Sequence, residues 1–328
     1  MNYIDRAIES STRNLYITNK SDPASIGIQR ENAAIAITGI FGVTCKTVIQ
    51  RHLELSREAV NKLVNRLKKK QIVAIHPTFA NQDRNFIVLT NQGIREAEFL
   101  LNRELHLRSD VSRVNERNLL HDLSVQIVIL DLVKTKKITG FASERDIAIQ
   151  LENRANDPRL VDALVVDANT GCRIAIEMEA SNAKNKSNGD LRAKILSKYL
   201  QEFESDDGLY EFVYMYSHRQ RFLTQIEKAH ARLFANARSS FTESQQATLT
   251  SQIKFQHNQC DVIYELMFNS KRPLGDDKSQ SISRDAFFNE LAKLEALAKS
   301  SNDRIVEIRL EGFRDGGRVL GLLDEFKT

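Results

Sequence analysis

Asp162, Glu177 and Glu179 are the residues whose types and spacing best suit chemistry. They lie in the stretch RLVDALVVDANTGCRIAIEMEA, residues 159–180. Two apolar runs, 160–166 and 173–179, flank Asp-Ala-Asn-Thr-Gly, a tight-turn composition, so the pattern predicts a β-hairpin. Strand side chains alternate: Ile174, Ile176 and Met178 point one way, and Arg173, Ala175, Glu177 and Glu179 the other. Asp162 falls near the start of the partner strand, so the hairpin brings three carboxylates to one end of a sheet. Carboxylates that close repel, and some must protonate unless a cation sits among them. A hard divalent ion such as Mg²⁺ takes oxygen ligands of this kind. Lys184 and Lys186 follow at the start of a helix and could reach back to the same place.

Each of these residues also has a plainer reading. Glu179 suits a surface carboxylate at a strand end, and Lys184 and Lys186 suit a solvated helix start. Asp162 stands in an apolar run, where an unpaired carboxylate is costly to desolvate; Arg173 could pair with it. Upstream, His121 and Asp122 sit one turn into an apolar helix, and Glu144 sits at a strand end or helix start. His121 could serve as a general acid or base, or as a hydrogen-bonded core residue. Glu144 could hold a second ion or a water, or simply favour a helix N-terminus. Tyr199, Tyr210, Tyr214 and Tyr216 are nucleophile candidates that nothing in the sequence separates.

These residues need a scaffold, and the chain is long enough to supply one. It has 328 residues, 27% charged and 41% hydrophobic, a soluble composition with room for two or more domains. The net charge of +4 permits a nucleic-acid partner without arguing for one. Cys45, Cys172 and Cys260 are far apart, which disfavours a zinc site or disulfide framework and fits a cytoplasmic protein. No apolar run is long enough for a membrane span.

Residues 1–30 are polar and read as a flexible arm. Three helices follow: 31–41, a second that Thr44 could cap, and a third capped by Ser56. In the third, Val60, Leu63, Val64 and Leu67 form a buried stripe. Arg57, Asn61, Lys62, Asn65 and Lys68 lie off it. Strands at 72–76 and 86–89 enclose a polar tip with Arg84, and Thr90 can cap a further helix. This order over 31–108 resembles the winged helix-turn-helix of bacterial DNA-binding proteins. The resemblance implies a third helix in the major groove and a hairpin along the backbone. It makes Arg57, Asn61, Lys62 and Asn65 base or phosphate candidates, and Lys68 and Arg84 phosphate contacts.

Residues 109–217 read as helix, Glu-bearing segment, strand with Asp, strand with ExE, helix, strand. With Asp162, Glu177 and Glu179 as matched acids and Glu144 upstream, this resembles the PD-(D/E)XK superfamily, the restriction-endonuclease-like fold. Val161 replaces its usual Pro, and Glu179 its usual Lys. Lys184 or Lys186 would then be a lysine moved to the following helix. The combination of modules resembles MOBC-type plasmid mobilisation relaxases and replication-relaxation proteins. The seven histidines form no HxH or HxxxH cluster, in keeping with a relaxase that lacks a three-histidine metal site.

The resemblance implies an α/β, α+β multi-domain chain that nicks DNA at a plasmid transfer origin with Mg²⁺ or Mn²⁺. Asp162, Glu177 and Glu179 would be metal ligands, and His121, Glu144 and Lys184 or Lys186 would assist. Partners would be DNA, relaxosome or coupling proteins and a second copy in a homodimer. The alternatives are a DNA-binding replication or transcription regulator with an inactive core, and a double-strand endonuclease. Residues 218–328 read as a mainly helical extension, with strands at 262–268 and 304–313.

Overall fold

A computed structural model describes residues 2–18, 22–78, 81–116, 118–152, 160–179, 189–217, 220–236, 240–257 and 284–300, with 310 and 314. Among them are eleven α-helices, a two-stranded sheet and a five-stranded mixed sheet. Lys184, Lys186 and the strands expected at 262–268 and 304–313 lie outside the described residues.

The stretch expected to be a loose arm contains helix α1 (Tyr3–Ser11), capped by the Asn2 side chain. Ile4 and Ala7 are fully buried, and the helix packs along strand β3 (Ile138–Ser143). Ser11 Oγ accepts a hydrogen bond from Phe141 N at 2.8 Å. The approach is close enough that a Cβ on Gly140 would meet Ile8 O at 2.5 Å. A nine-residue polar helix has little stability of its own, so this packing is what forms it.

Helix α2 (Pro23–Phe41) starts well before the apolar run, because Asp22 caps it and Pro23 opens it. Gly42 ends it in the left-handed region, at φ 78°. Thr44 does not cap the next helix. Its backbone bridges to Ile87, and α3 (Lys46–Leu53) begins after Cys45 without a side-chain cap. Helix α4 (Arg57–Lys69) is capped by Ser56 and buries Val60, Leu63, Val64 and Leu67. Strands β1 (Val73–Pro77) and β2 (Asn85–Leu89) pair antiparallel. Thr90 then caps α5 (Asn91–Leu101).

Several of the described residues between β1 and β2 turn inward. Thr78, Asn81 and Asp83 are all buried. The Asp83 carboxylate accepts from Thr47 N at 2.8 Å and Thr47 Oγ1 at 3.1 Å, and it pairs with Arg57.

Helix α6 (Leu119–Lys134) is apolar around most of its circumference and packs on α3, where Arg51 pairs with Asp131 at 2.9 Å. After β3 comes α7 (Glu144–Leu151), started by a Ser143/Asp146 capping box. Next are β4 (Ala163–Asp167), β5 (Arg173–Met178), α8 (Gly189–Glu204) and β6 (Phe212–Ser217). Helices α9 (Gln220–Ala235) and α10 (Glu243–Gln252), strand β7 (Ile253–His257) and helix α11 (Arg284–Ser300) complete the elements.

The strand order is β3-β4-β5-β6-β7. β3, β4 and β5 run antiparallel, whereas β5, β6 and β7 are parallel. The sheet thus continues past residue 217, because β7 joins β6.

Period-two alternation divides the core. Ala163, Val165, Ile174, Ile176 and Met178 join one cluster with α6 and the helices of 31–108. Leu164, Ala175, Val213 and Met215 join a second, with α1, α7, α8 and α9. One uninterrupted core therefore runs from the N-terminal helices to the sheet.

Candidate active site

The strand directions bring the C-terminal ends of β3, β5 and β6 and the N-terminal end of β4 to one end of the sheet. Asp162 stands there, one residue before β4, and its N–H donates to Ile176 O at 3.1 Å. Its carboxylate Oδ2 accepts from Met178 N at 2.6 Å. The side chain thus closes the ladder where backbone pairing stops. Arg173 is not its partner; that guanidinium pairs with Asp5 of α1 at 2.5 Å.

His121, in the first turn of α6, faces the same carboxylate. Its Nε2 lies 3.4 Å from Asp162 Oδ2 and 3.3 Å from Met178 O, and its Nδ1 3.2 Å from Asp122 Oδ1. Burial pushes the imidazole pKa down, but hydrogen bonds to Asp122 and Asp162 outweigh that and raise it to about 10. At neutral pH His121 is therefore a cation held between two carboxylates.

Glu144 opens α7 and is exposed to solvent on one side. Burial of its other side raises its pKa, Asp162, Asp122 and Glu177 raise it further, and His121 opposes them. Those causes show that Glu144, Asp162, Asp122 and Glu177 share one electrostatic neighbourhood. Glu177 is only 1% exposed and accepts from Tyr199 Oη at 2.9 Å. Glu179 is also buried, and its backbone is pinned to β6. Its N–H donates to Tyr216 O at 2.8 Å, and its carbonyl accepts from Ser217 Oγ at 2.8 Å.

Among the described residues no group of three His, Cys, Asp or Glu side chains is arranged to hold a metal ion, Asp162, Glu177 and Glu179 included. Asp162 Oδ2 is turned to Met178 N and His121, and Glu177 Oε1 to Tyr199. The donor chemistry nevertheless fits a hard cation. Mg²⁺ is commonly held by one or two carboxylates together with waters and substrate phosphate, and Asp162 and Glu177 flank the Ala163–Ile176 pair of β4 and β5.

The α4 residues singled out in the sequence differ in availability. Asn65 and Lys68 are exposed and Asn61 is half-buried. Lys62 pairs with Glu58 at 2.6 Å on the exposed face, a weak contact that a phosphate can replace. Arg57 is held by Asp83, a partner with no signal in the sequence. Arg84 is exposed at φ 53°, whereas Asp83 beside it bonds Thr47 of α3 and Arg57 of α4. Tyr199, one of the four tyrosines the sequence offers as nucleophiles, is instead buried with its hydroxyl on Glu177, a contact with no sequence signal. Compared with protein-family models, curated proteins and solved structures, the chain shows no match.

Proposed function

We propose that this chain is a metal-dependent DNA-nicking enzyme of the relaxase type, acting at a plasmid transfer origin. Residues 31–108 act as a winged helix-turn-helix, and the five-stranded sheet with its helices as a PD-(D/E)XK-like nuclease core. The observation that carries this reading is the convergence of Asp162, Glu177, Glu144 and His121 on one end of a mixed sheet. Asp162 and Glu177 would hold Mg²⁺ or Mn²⁺, with Glu179 reaching it directly or through water. A bound divalent ion supplies charge neutralisation at the phosphate and acidifies a water. His121, between Asp122 and Asp162, would act as general acid or base or touch a phosphate oxygen. Glu144, with its raised pKa and solvent-facing side, suits proton exchange with a water. Lys184 or Lys186 would stabilise the phosphorane.

DNA would be positioned by α4, whose exposed Lys62, Lys68 and Lys69 lie off the buried stripe, while Arg57 and Arg66 pair with Asp83 and Glu31. A second reading, a DNA-binding regulator with an inactive core, is favoured by the lack of a three-residue metal group among the described residues. Incubation with supercoiled plasmid carrying the cognate origin and Mn²⁺ tests both. Open-circular product from the wild type, reduced at least 100-fold in Asp162→Ala and Glu177→Ala, is expected from loss of direct ligands. Intact supercoil despite tight DNA binding would establish the regulator, and linear product a double-strand endonuclease.

A further inference from the structure

Tyr199 lies in the middle of α8 and is 1% exposed. Its hydroxyl donates to Glu177 Oε1 at 2.9 Å, and Glu177 is itself 1% exposed. Burial and that bond together remove Tyr199 from the list of nucleophiles for DNA. They also raise the question of why a buried carboxylate should meet a phenol here.

Two observations bear on it. Glu177 is on the central strand, and Asp162 and Glu177 flank the Ala163–Ile176 pair where β4 meets β5. A carboxylate so placed keeps one rotamer only if a donor holds it from another direction. The Tyr199 ring is suited to that task because it cannot swing. It stands edge-on to Tyr210, with centroids 6.5 Å apart and planes at 73°, and Tyr210 is in turn edge-on to Phe203 at 6.0 Å. Leu196 and Leu200, beside it on α8, are buried in the same cluster.

We propose that Tyr199 is a positioning residue for Glu177, fixing the rotamer in which that carboxylate meets a divalent cation. This rests on the acidic centre being a cation site. Outer partners of metal-binding carboxylates typically change metal affinity by about 10–100-fold when removed.

The test uses the full-length protein and Mn²⁺ alone, measured by titration calorimetry and by the metal-induced rise in melting temperature. Tyr199→Phe keeps the ring and removes the donor. It should unfold without metal within a few degrees of wild type, bind Mn²⁺ about tenfold more weakly, and show a smaller metal-induced rise. In the nicking assay half-saturating Mn²⁺ should increase by the same factor, with the rate at saturating metal within about twofold. Glu177→Gln should abolish Mn²⁺ binding, and Tyr199→Phe should add nothing to it. Equal Mn²⁺ affinity in Tyr199→Phe and wild type overturns the positioning role. So does a lowered metal-free melting temperature with unchanged affinity, which marks packing alone. If wild type binds no Mn²⁺, the cation site falls and the positioning role with it, an outcome distinct from the other two.

Discussion

The buried pair Arg103–Asp146 joins the segment after α5 to the first turn of α7, and breaking it should be costly. The guanidinium meets the carboxylate at 2.7 and 3.2 Å, with side-chain exposures of 5% and 0%. Asp146 also accepts from Ser143 N at 3.1 Å, Ser143 Oγ at 2.8 Å and Tyr3 Oη at 3.3 Å. Burial raises the Asp146 pKa, yet Arg103, Arg145 and Ser143 together outweigh it and hold it below the usual carboxylate value. Asp146→Asn keeps the size and part of the capping box but leaves Arg103 charged, buried and without its counter-ion. Removing one partner of such a pair costs about 3–5 kcal/mol. Arg103→Met should cost less, roughly 1–3 kcal/mol, because Asp146 retains Ser143 and Tyr3. The double variant should be more stable than Asp146→Asn alone, since it removes the stranded Arg103 charge, although the buried Arg145 still loses the attraction of Asp146. Urea unfolding followed by circular dichroism measures all four proteins in one cycle. The reasoning is refuted if Asp146→Asn loses under 1 kcal/mol, or if the double variant is no more stable than that single one. The depressed Asp146 pKa adds a pH signature. Its stabilisation is present above the unfolded value of 3.8 and disappears as pH falls through the folded value.

His230 should make stability pH-dependent in a higher window. Burial, with help from Arg192, lowers its pKa from 6.5 to about 3, so protons bind the unfolded chain first. Stability should fall as pH drops from about 7 towards 3, by about 2 kcal/mol between pH 7 and 5, and His230→Phe should flatten that limb in urea titrations. On the DNA face, Lys68→Ala should weaken binding of all sequences alike and reduce the slope of log affinity against log salt by about 0.9. An unchanged slope in fluorescence anisotropy would take Lys68 off the interface. Arg57→Ala should act mainly on folding, because it strands the fully buried Asp83 carboxylate. Its melting temperature should fall more than that of Lys68→Ala.

Local pattern was legible where it and tertiary packing agree. The α4 stripe, with Ser56 at its start, and the 163–178 hairpin were readable because amphipathic periods of 3.6 and 2.0 survive in any context. Helix α1 was not, since three apolar side chains in a polar nonapeptide acquire meaning only against β3. Strand β7 was missed for a related reason: Ile-Lys-Phe-Gln-His follows α10 directly, with no turn residue between them. At the site, the placement of Asp162 and Glu177 followed from alternation, whereas their partners did not. Asp162 bonds a backbone N–H sixteen residues away, and Arg173 goes to α1. Contacts between distant segments leave no periodic trace.

The first turn of α7 shows what those long-range contacts accomplish. Three successive side chains reach three different places. Glu144 enters the acidic neighbourhood. Arg145 donates to Gly39 O at 3.0 Å and Ile40 O at 3.1 Å, at the C-terminal end of α2, where a cation complements the helix dipole. Asp146 takes Arg103. The helices of 31–108 and the acid-bearing end of the sheet are thus tied through one turn and one continuous core. A change in how α2 sits would be felt at Glu144 through a single peptide unit. On the proposed reading, packing rather than a linker sets the span between the exposed face of α4 and the carboxylates. The nick should therefore fall at a constant offset from the sequence that α4 recognises. Asp146→Asn, which cuts one of the two ties, should blur that offset before it abolishes cleavage.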